Sequence, residues 1–437
     1  MKDFVLNYSE NQVTAWGGMA LMKKMLNKVC VKEHLKSLDL PRPNSNRGYD
    51  PADIMEAFWV SIWCGASRFA HSDYLRYDKT LTSLFGWRQA PSQSTYSRYF
   101  HKFNQKRSDA VFKDLNSWFF KQWQMDNVTL DVDSSVLTRY GQQQQGANKG
   151  YNPQKPGRNS HHPLMAFMSE GGMVVNSWLR QGATGAARRF DDFLEETLQI
   201  LGDKKVGLLR ADSGFHSKMT FELLESKQID YIIAARMQKP LRQEIGSSLK
   251  WVPVPGAKGI EVAELNYQAY KWKKPRRMVV IRQNVVINPT AVGKLFEDLP
   301  SYRYSALFTS LETLPAIEVW RIYRGRAVAE NRIKELKYDF GMDAFNLSKF
   351  FATEAAFRSI MVAYNLMALF KHMVLQSKRH QELKTLRFKC FALGAWITKT
   401  SSKSIYNLAL AQNKRAWMDG LFLNISKIPP EFKLSNA

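Results

Sequence analysis

Apolar residues recur at helical spacing in the first part of the chain. The residues DPAD, from Asp50 to Asp53, place a capping acid, a proline and a first-turn acid at the start of a helix. Ile54, Phe58 and Ile62 follow at intervals of four, so one face of this helix is predicted to be buried. A further helix is predicted from residue 108 onward.

The segment LFGWRQAPSQSTYSRYFHKF lies between these two predicted helices. A glycine turn, Pro91 and Ser92 precede a helix that carries Ser94 and Arg98, and this arrangement resembles the recognition element of a helix-turn-helix. An ordinary amphipathic helix explains the pattern equally well. Arg98 is therefore a candidate nucleic-acid contact in a predicted N-terminal helical region, residues 1–126.

Strand-like alternation begins after this region. In NVTLDVDSSVL, Val128, Leu130 and Val132 face one way and the polar residues between them face the other. HPLMAFMSEGGMVVNSWL is two apolar strands around Glu-Gly-Gly and predicts a hairpin. VGLLRADSGF and DYIIAARM are short apolar runs, each preceded by a helical segment. This order of elements predicts a mixed α/β sheet.

The α/β pattern is interrupted once along the chain. Residues 238–316 hold short β-like runs, namely WVPVP, IEVAELNYQAYKW, RRMVVIRQNVVI and YRYSALFTS. We interpret them as a β-rich insertion domain within an α/β domain that comprises residues 127–237 and 317–345. Residues 346–437 are predicted to form a C-terminal helical region, which includes a long apolar helix.

The charge of the chain narrows the possible partners. Its 437 residues carry a formal net charge of +24, and the sequence pI is about 9.8. Because the excess Lys and Arg is spread along the whole chain, a polyanionic partner is expected, most simply nucleic acid. A basic ribosome-associated protein is the alternative.

Cysteine and histidine give no sign of a soft-metal site. Cys30, Cys64 and Cys390 lie far apart without a CxxC pair, so neither a zinc cluster nor a disulfide framework is expected. His161 and His162 are interpreted as structural hydrogen-bonding residues. MKDFVLNYSE lacks an apolar signal core, and the longest apolar run, IMVAYNLMALF, is too short to span a bilayer. We expect a cytoplasmic protein without a membrane partner or a small-molecule substrate.

The stretch YRGRAVAENRIKELK, from Tyr323 to Lys337, has an unusual polar face. At 100° per residue on a helix, Tyr323, Arg326, Glu330 and Lys337 share a wedge about 60° wide, whereas Glu335 falls on a different face. A face that packs against the core would be apolar, and this one is not. A solvated face with helix-stabilising ion pairs is the alternative interpretation.

Two further carboxylates accompany predicted strands. Asp133 precedes two serines, and Asp212 ends an apolar strand before a Ser-Gly turn, where an acid would face an open crevice. A surface position for Asp133 and a helix-capping role for Asp212 are the alternatives. Together with Glu330, these acids form a set of oxygen ligands that suits Mg²⁺, and two such ions can clamp a phosphodiester for displacement.

These motifs resemble those of DDE transposases from bacterial insertion sequences. The spacing of Tyr323, Arg326, Glu330 and Lys337 matches the Tyr-Arg-Glu-Lys signature of that family. LDVDSS and LLRADSGF resemble the strands that bear its first and second catalytic aspartates, and GYNPQKPGRNSHHPLMAF resembles the Gly-Tyr-Asn and His-Pro-Leu elements of one branch. The resemblance, over roughly residues 127–339, implies a ribonuclease-H-like catalytic domain with a β-rich insertion.

The resemblance also implies site residues. Asp133, Asp212 and Glu330 would be the catalytic acids and would bind two Mg²⁺ ions, for which Mn²⁺ can substitute. Asp131, on the face of Asp133, and Glu335 are the neighbouring acids that compete with this assignment. The residues expected to contact transposon-end DNA by the same resemblance are Tyr323, Arg326 and Lys337.

Other residues are candidate DNA contacts on local pattern alone. YKWKKPRRM interleaves Trp272 with cations that include Lys273, which predicts a DNA grip, although a charged hairpin tip fits nearly as well. Lys155 and Arg158 lie in a loop that would clamp DNA or remain solvated. Members of the branch stack a tryptophan on a flipped base, and Trp251 and Trp272 are both candidates for that role.

The function implied by the resemblance is cut-and-paste transposition. The protein would bind the terminal inverted repeats of its insertion sequence, cut the ends, and join the 3′ ends to target DNA. Second-strand cleavage through a hairpin stays open. A homodimer on paired ends and a location on the nucleoid are expected. The alternatives are a non-mobile nuclease of the same fold and an inactive DNA-binding repressor derived from a transposase.

Overall fold

The structure is a computed structural model, and it describes residues 5–8, 10–45, 47–245, 249–285, 301–377 and 379–433. Its helices, numbered in chain order, are α1 (Met19–Lys28), α2 (Val31–Ser37), α3 (Pro51–Trp63), α4 (Ser72–Arg76), α5 (Lys79–Phe85), α6 (Gln93–Phe100), α7 (Gln105–Lys121), α8 (Phe190–Leu201), α9 (Lys218–Ser226), α10 (Lys239–Ile245), α11 (Ala316–Arg324), α12 (Ala327–Tyr338), α13 (Phe350–Leu369), α14 (Leu383–Leu386) and α15 (Gln412–Ser426).

The strands, in the same order, are β1 (Val13–Thr14), β2 (Trp123–Gln124), β3 (Asn127–Ser134), β4 (Leu137–Thr138), β5 (Asn148–Lys149), β6 (Asn159–His161), β7 (Leu164–Met168), β8 (Met173–Trp178), β9 (Lys205–Ala211), β10 (Asp230–Ala234), β11 (Val252–Pro253), β12 (Ile260–Tyr267), β13 (Arg276–Val285), β14 (Ser301–Thr309), β15 (Ala395–Lys399), β16 (Ser404–Leu408) and β17 (Phe432–Lys433).

A large mixed sheet forms the centre of the fold. Its strand order is β11-β12-β13-β14-β10-β9-β3-β7-β8. Strand β3 pairs antiparallel with β7 of the β7–β8 hairpin and parallel with β9, and β10 lies parallel to β9. The predicted mixed α/β sheet with helices around it is confirmed. Both Leu130 and Val132 of β3 are buried, as the alternation of that strand predicts.

The β-rich run continues this same sheet. Strands β11 to β14 are antiparallel to one another, and β14 pairs with β10, so that Ile232 lies opposite Thr309. The end of RRMVVIRQNVVI, beyond residue 285, lies outside the described residues. Whether residues 238–316 form a domain of their own stays a prediction; their described strands are hydrogen-bonded extensions of the central sheet.

Helix α13 joins the two terminal regions to the sheet. It is apolar almost all round and is buried along nearly its whole length, as expected of a helix surrounded by protein. The indole nitrogens of Trp59 and Trp63, both on α3, donate to the backbone oxygens of Ser359 and Ala363. The Asn365 side chain bonds both backbone groups of Val174, which covers the outer edge of β8.

The C-terminal region is not purely helical. Strands β15 and β16 form a hairpin that pairs with β1 near the start of the chain. Helical periodicity over residues 346–437 did not indicate this hairpin. Within the described ranges, no helix combines the length and the apolar character needed to cross a bilayer.

Candidate active site

Two neighbouring parallel strands bring the two aspartates together. In the register of β3 and β9, Val132 lies opposite Ala211. Asp133 and Asp212 each come one residue later, and adjacent strands are about 5 Å apart, so the two carboxylates emerge side by side at one edge of the sheet. Asp212 also accepts a hydrogen bond from the Gly214 amide at 2.8 Å, which starts the turn after β9.

Helix α12 supplies the third carboxylate. Asp133, Asp212 and Glu330 line one open cleft of about 440 Å³. Glu330 lies in the first turn of α12, and its side chain is 57% exposed to solvent. The predicted polar face of α12 is therefore turned toward the ends of β3 and β9. Arg326 and Lys337 also line this cleft.

Arg326 lies between the acids. Its guanidinium is 2.8 Å from the carboxylate of Asp133 and 3.0 Å from that of Glu330, while the side chain itself is buried. Burial raises the pKa of Tyr323 to about 12; Arg326 opposes that shift and the three acids add to it. The Lys337 ammonium donates to the Val136 backbone oxygen at 3.1 Å, and burial lowers its pKa.

The charge of the buried Asp133 carboxyl is only partly compensated by its neighbours. Burial raises the pKa of this carboxyl to about 7, although Arg326 acts in the opposite direction, and the nearby charge of Asp212 raises it further. The Ser134 amide donates to the same carboxyl at 2.8 Å. A single arginine thus leaves the buried acid under-compensated near neutral pH, and additional positive charge in the cleft would favour its ionised form.

The carboxylates of Asp133, Asp212 and Glu330 are chemically suited to bind a hard divalent cation. Three carboxylates without thiol or imidazole are the ligands that Mg²⁺ prefers. Over the described part of the chain, however, no group of three or more His, Cys, Asp and Glu residues is close enough to hold a metal ion. The Arg326 guanidinium occupies the space between Asp133 and Glu330. The carboxylates thus have the ligand chemistry that a divalent cation prefers, and in this structure an arginine bridges two of them.

The two competing acids have other partners. Asp131 is fully buried, and Arg210 binds both of its oxygens at 2.6 and 2.8 Å. Arg210 also donates to the Ile322 backbone oxygen at 2.7 Å, which ties β3 and β9 to the end of α11. Neither Asp131 nor Glu335 lines the cleft.

Glu335 anchors the C-terminal region. Its carboxylate is buried and lies 2.8 Å from the Lys371 ammonium and 3.3 Å from the His380 imidazole. The Leu383 amide donates to the same carboxylate at 2.9 Å. This side chain therefore faces away from the acids of the cleft, in agreement with the face predicted for it.

The Gly-Tyr-Asn element shapes the loop that carries Lys155 to the cleft. A Cβ on Gly150 would lie 2.0 Å from the backbone oxygen of Gly182, so the two loops pack backbone to backbone. The Asn152 amide donates to the Thr138 hydroxyl at 3.0 Å and accepts from the Lys155 amide at 3.1 Å. Lys155 lines the same cleft as the acids. Sequence reasoning missed the anchoring role of Asn152, for which the motif itself was the signal.

His161 and His162, at the start of the His-Pro-Leu element, make the structural hydrogen bonds that were predicted for them. His161 accepts from the Arg139 guanidinium at 3.0 Å, and its other ring nitrogen bonds the Gln145 backbone oxygen at 2.9 Å. His162 bonds the Thr184 backbone oxygen at 2.6 Å. These bonds hold β6 and the following loop against the cleft.

The remaining candidate DNA contacts lie outside the cleft lining. The Arg158 guanidinium lies over the ring of Tyr140, which does line the cleft. Trp272 is half-buried and packs against Phe308, and the Arg276 guanidinium lies 4.9 Å from its ring centre. Lys273, in the same turn, is exposed. Trp251 lies elsewhere, with a guanidinium over its ring.

The predicted helix-turn-helix segment contains the expected helices. Helix α5 ends at Gly86, whose φ of +74° favours glycine, and the Ser92 hydroxyl caps α6 by accepting from the Thr95 amide. Arg98 is exposed on α6. Its role in DNA recognition stays a prediction.

Comparison with known proteins places the chain in a family. The family described as Transposase DDE domain group 1 matches residues 2–430. No curated protein matches the sequence. A solved structure described as a piggyBac transposase synaptic complex with hairpin DNA is similar, with a TM-score of 0.46 and 11% sequence identity over 87% of this chain and 81% of that chain. By the match across nearly its whole length, the chain belongs to the Transposase DDE domain group 1 family.

Proposed function

We propose that this protein is a DNA transposase that binds the terminal inverted repeats of its own insertion sequence, cuts the ends and joins the 3′ ends to target DNA. The observation that carries the proposal is the cleft in which Asp133, Asp212 and Glu330 meet Arg326 and Lys337 in a chain of this family. The net charge of +24 supports a DNA partner.

The three acids are proposed to hold two Mg²⁺ ions, with Mn²⁺ able to substitute. Bound there, the cations would supply a water of lowered pKa and would neutralise charge on the phosphate that reacts. The raised pKa of Asp133, caused first by its burial, supports a site that becomes fully ionised only when further positive charge arrives.

The cations of the cleft are proposed to hold DNA. Arg326 balances Asp133 and Glu330 when DNA is absent, and its guanidinium is suited to bind a phosphate oxygen beside them. Lys337 is held by the Val136 oxygen at the floor of the cleft, and Lys155 approaches from the opposite loop. Tyr323, whose pKa is raised by burial and by the charges of the three acids, is proposed to contact the same DNA.

The proposed chemistry consists of two displacements at phosphorus. In the first, water adds to the phosphate at the element's end, the bond from phosphorus to the 3′ oxygen breaks, and the leaving oxygen takes up a proton. In the second, the freed 3′-hydroxyl loses its proton and displaces a 3′ oxygen in target DNA, so that one phosphodiester replaces another. A hairpin on the opposite strand is an optional intermediate of the same type.

The finer features of the fold and the assembly belong to the same proposal. We infer a ribonuclease-H-like catalytic part. This is supported by the β7–β8 hairpin, whose strand β7 pairs antiparallel with β3, and by β9 and β10, which run parallel to β3. We also infer a homodimer on paired ends, because transposition must bring two ends of one element together. A location on the nucleoid is inferred from the proposed DNA substrate.

The test is cleavage and excision with DNA that flanks the gene on its native replicon. Asp133→Asn, Asp212→Asn and Glu330→Gln should lose Mg²⁺-dependent cleavage and keep end binding. Asp191→Asn, an exposed acid in the first turn of α8, is the matched control and should stay active. Joining to target DNA separates a transposase from a nuclease. End binding without any wild-type cleavage would instead identify a repressor.

A further inference from the structure

Exposed tyrosines surround the mouth of the cleft. Tyr140 is 69% exposed and Tyr338 is 78% exposed, and both line the cleft that contains the three acids. Tyr151, 74% exposed, lines the adjoining cavity, which shares Asp212 with the cleft. Because these rings are grouped around one site, they form a surface that another molecule can cover.

The position of Tyr338 follows from helical spacing. Lys334 and Tyr338 come four and eight residues after Glu330, so the three side chains lie along one edge of α12. All three belong to the lining of the cleft. The predicted polar face of α12 therefore continues beyond its acid as a lysine and then an aromatic ring.

Tyr140 comes from a part of the chain other than α12. It follows strand β4, and the Arg158 guanidinium lies 5.9 Å from its ring centre. This cation–π contact orients the ring without burying it. Lys155, from the loop that also carries Arg158, lines the cleft beside Tyr140. Each tyrosine thus has a cation next to it.

Aromatic rings interleaved with cations are the usual surface for unpaired nucleic acid. The cations hold the backbone, and each ring stacks on a base face. In a duplex the base faces are already stacked on one another, and a blunt end leaves free only the outer face of its last pair. Two tyrosines from different elements can therefore both stack only where bases are unpaired. The acids at the floor of the cleft would meanwhile face the phosphate that reacts.

We propose that Tyr140 and Tyr338 stack on unpaired bases of the DNA end held in the cleft. The inference rests on the proposed function and deepens it: the substrate is an end whose terminal nucleotides are splayed apart, not a fully paired end. The two tyrosines then determine the preference for that DNA structure, and Lys155 and Lys334 hold the backbone next to the stacked bases.

The test compares two synthetic probes in EDTA, so that no cleavage occurs. Both are short duplexes of one sequence; one is blunt and the other ends in a few unpaired nucleotides that include 2-aminopurine. The wild type should bind the splayed probe more tightly and quench its fluorescence. Tyr140→Leu and Tyr338→Leu should each weaken binding of the splayed probe roughly tenfold and leave blunt binding unchanged.

Two further variants separate stacking from other effects. Tyr140→Phe keeps the ring and should keep the preference for the splayed probe. Phe388→Leu removes a ring that is equally exposed but lies away from the cleft, and it should behave as wild type. The leucine variants should melt at the wild-type temperature because the replaced side chains are exposed, so a loss of binding cannot come from misfolding.

The outcomes distinguish this inference from the proposed function. Equal wild-type binding of blunt and splayed probes, or an unchanged preference in both leucine variants, would overturn the stacking inference, whatever the cleavage assay shows. Absence of Mg²⁺-dependent cleavage by the wild type on flanking DNA would overturn the proposed function, even if the splayed probe is preferred.

Discussion

The guanidinium of Arg326 lies 2.8 Å from the carboxylate of Asp133, and both side chains are at least nine-tenths buried. The same guanidinium is 3.0 Å from Glu330, whose side chain is mainly in solvent. One arginine therefore pairs with two of the three proposed catalytic acids. Because Asp133 is the buried partner, its ionised form depends on that arginine in the absence of any other cation.

Replacement of Arg326 should destabilise the fold through Asp133. Arg326→Met leaves the buried carboxyl without its cation, and we expect a loss of about 3 kcal/mol in the free energy of unfolding at pH 8. At pH 5 the loss should be smaller, because the raised pKa of Asp133 keeps that carboxyl largely protonated in either protein. Denaturant unfolding in EDTA at both pH values measures the difference.

The double variant is the control for this prediction. Asp133→Asn removes the charge that Arg326 compensates, so Arg326→Met should cost much less in the Asp133→Asn background than in the wild type. Additive losses from the two substitutions would show that Arg326 stabilises the protein by packing alone.

Asp131 should prove structural, although it shares a strand face with Asp133. Asp131→Asn takes the carboxylate from the buried Arg210, and we expect a loss of about 3 kcal/mol or more in stability. Folded Asp131→Asn protein should still cleave DNA in Mg²⁺. Thermal unfolding and cleavage per folded molecule separate the two effects. Inactive protein of wild-type stability would move the catalytic role from Asp133 to Asp131.

The central fold could be predicted because its signals are local. The alternation of β3, the apolar run of β9 and the Glu-Gly-Gly turn between β7 and β8 each lie within about ten residues. The pairing of β14 with β10 joins residues about 75 positions apart, and nothing in either strand specifies it. The β15–β16 hairpin was missed because AWITK and SIYNL do not alternate between apolar and polar residues, although both contain β-branched and aromatic residues and flank a serine-rich turn.

Some residues of the site could likewise be assigned from local spacing, and others could not. Helical spacing alone separates Glu330 from Glu335, because the two positions are 140° apart on α12. A strand period of two cannot separate Asp131 from Asp133, since both point to one face. Only the position of Arg210 in the folded chain distinguishes them. The sequence likewise could not show that Arg326 bridges two acids from different elements.

Removal of the charge of Glu335 should lower stability but not activity, and removal of the charge of Glu330 should lower activity but not stability. Glu335→Gln leaves the Lys371 ammonium without its buried partner and should lower stability by about 3 kcal/mol, with folded protein still active. Glu330→Gln alters a largely exposed side chain, so it should leave the melting temperature nearly unchanged and abolish cleavage. Thermal unfolding and Mg²⁺-dependent cleavage of both variants are the measurements. A strongly destabilised Glu330→Gln protein would contradict this assignment.

His161 should make the fold sensitive to acid. Burial lowers the pKa of its imidazole to about 4, and the charge of Arg139 acts in the same direction. The ordinary pKa of histidine is about 6.5. Between these two values the unfolded chain binds a proton that the folded protein does not, so stability falls as the pH falls from 6.5 toward 4, by up to about 3 kcal/mol.

The test is the slope of unfolding free energy against pH in the wild type and in His161→Gln. Glutamine can accept from Arg139 and donate to the Gln145 oxygen without binding a proton, so the variant should lose less stability in acid. Some slope should remain, because burial also lowers the pKa of His216 to about 4. Equal slopes in the wild type and His161→Gln would mean that His161 takes up its proton without opening the fold.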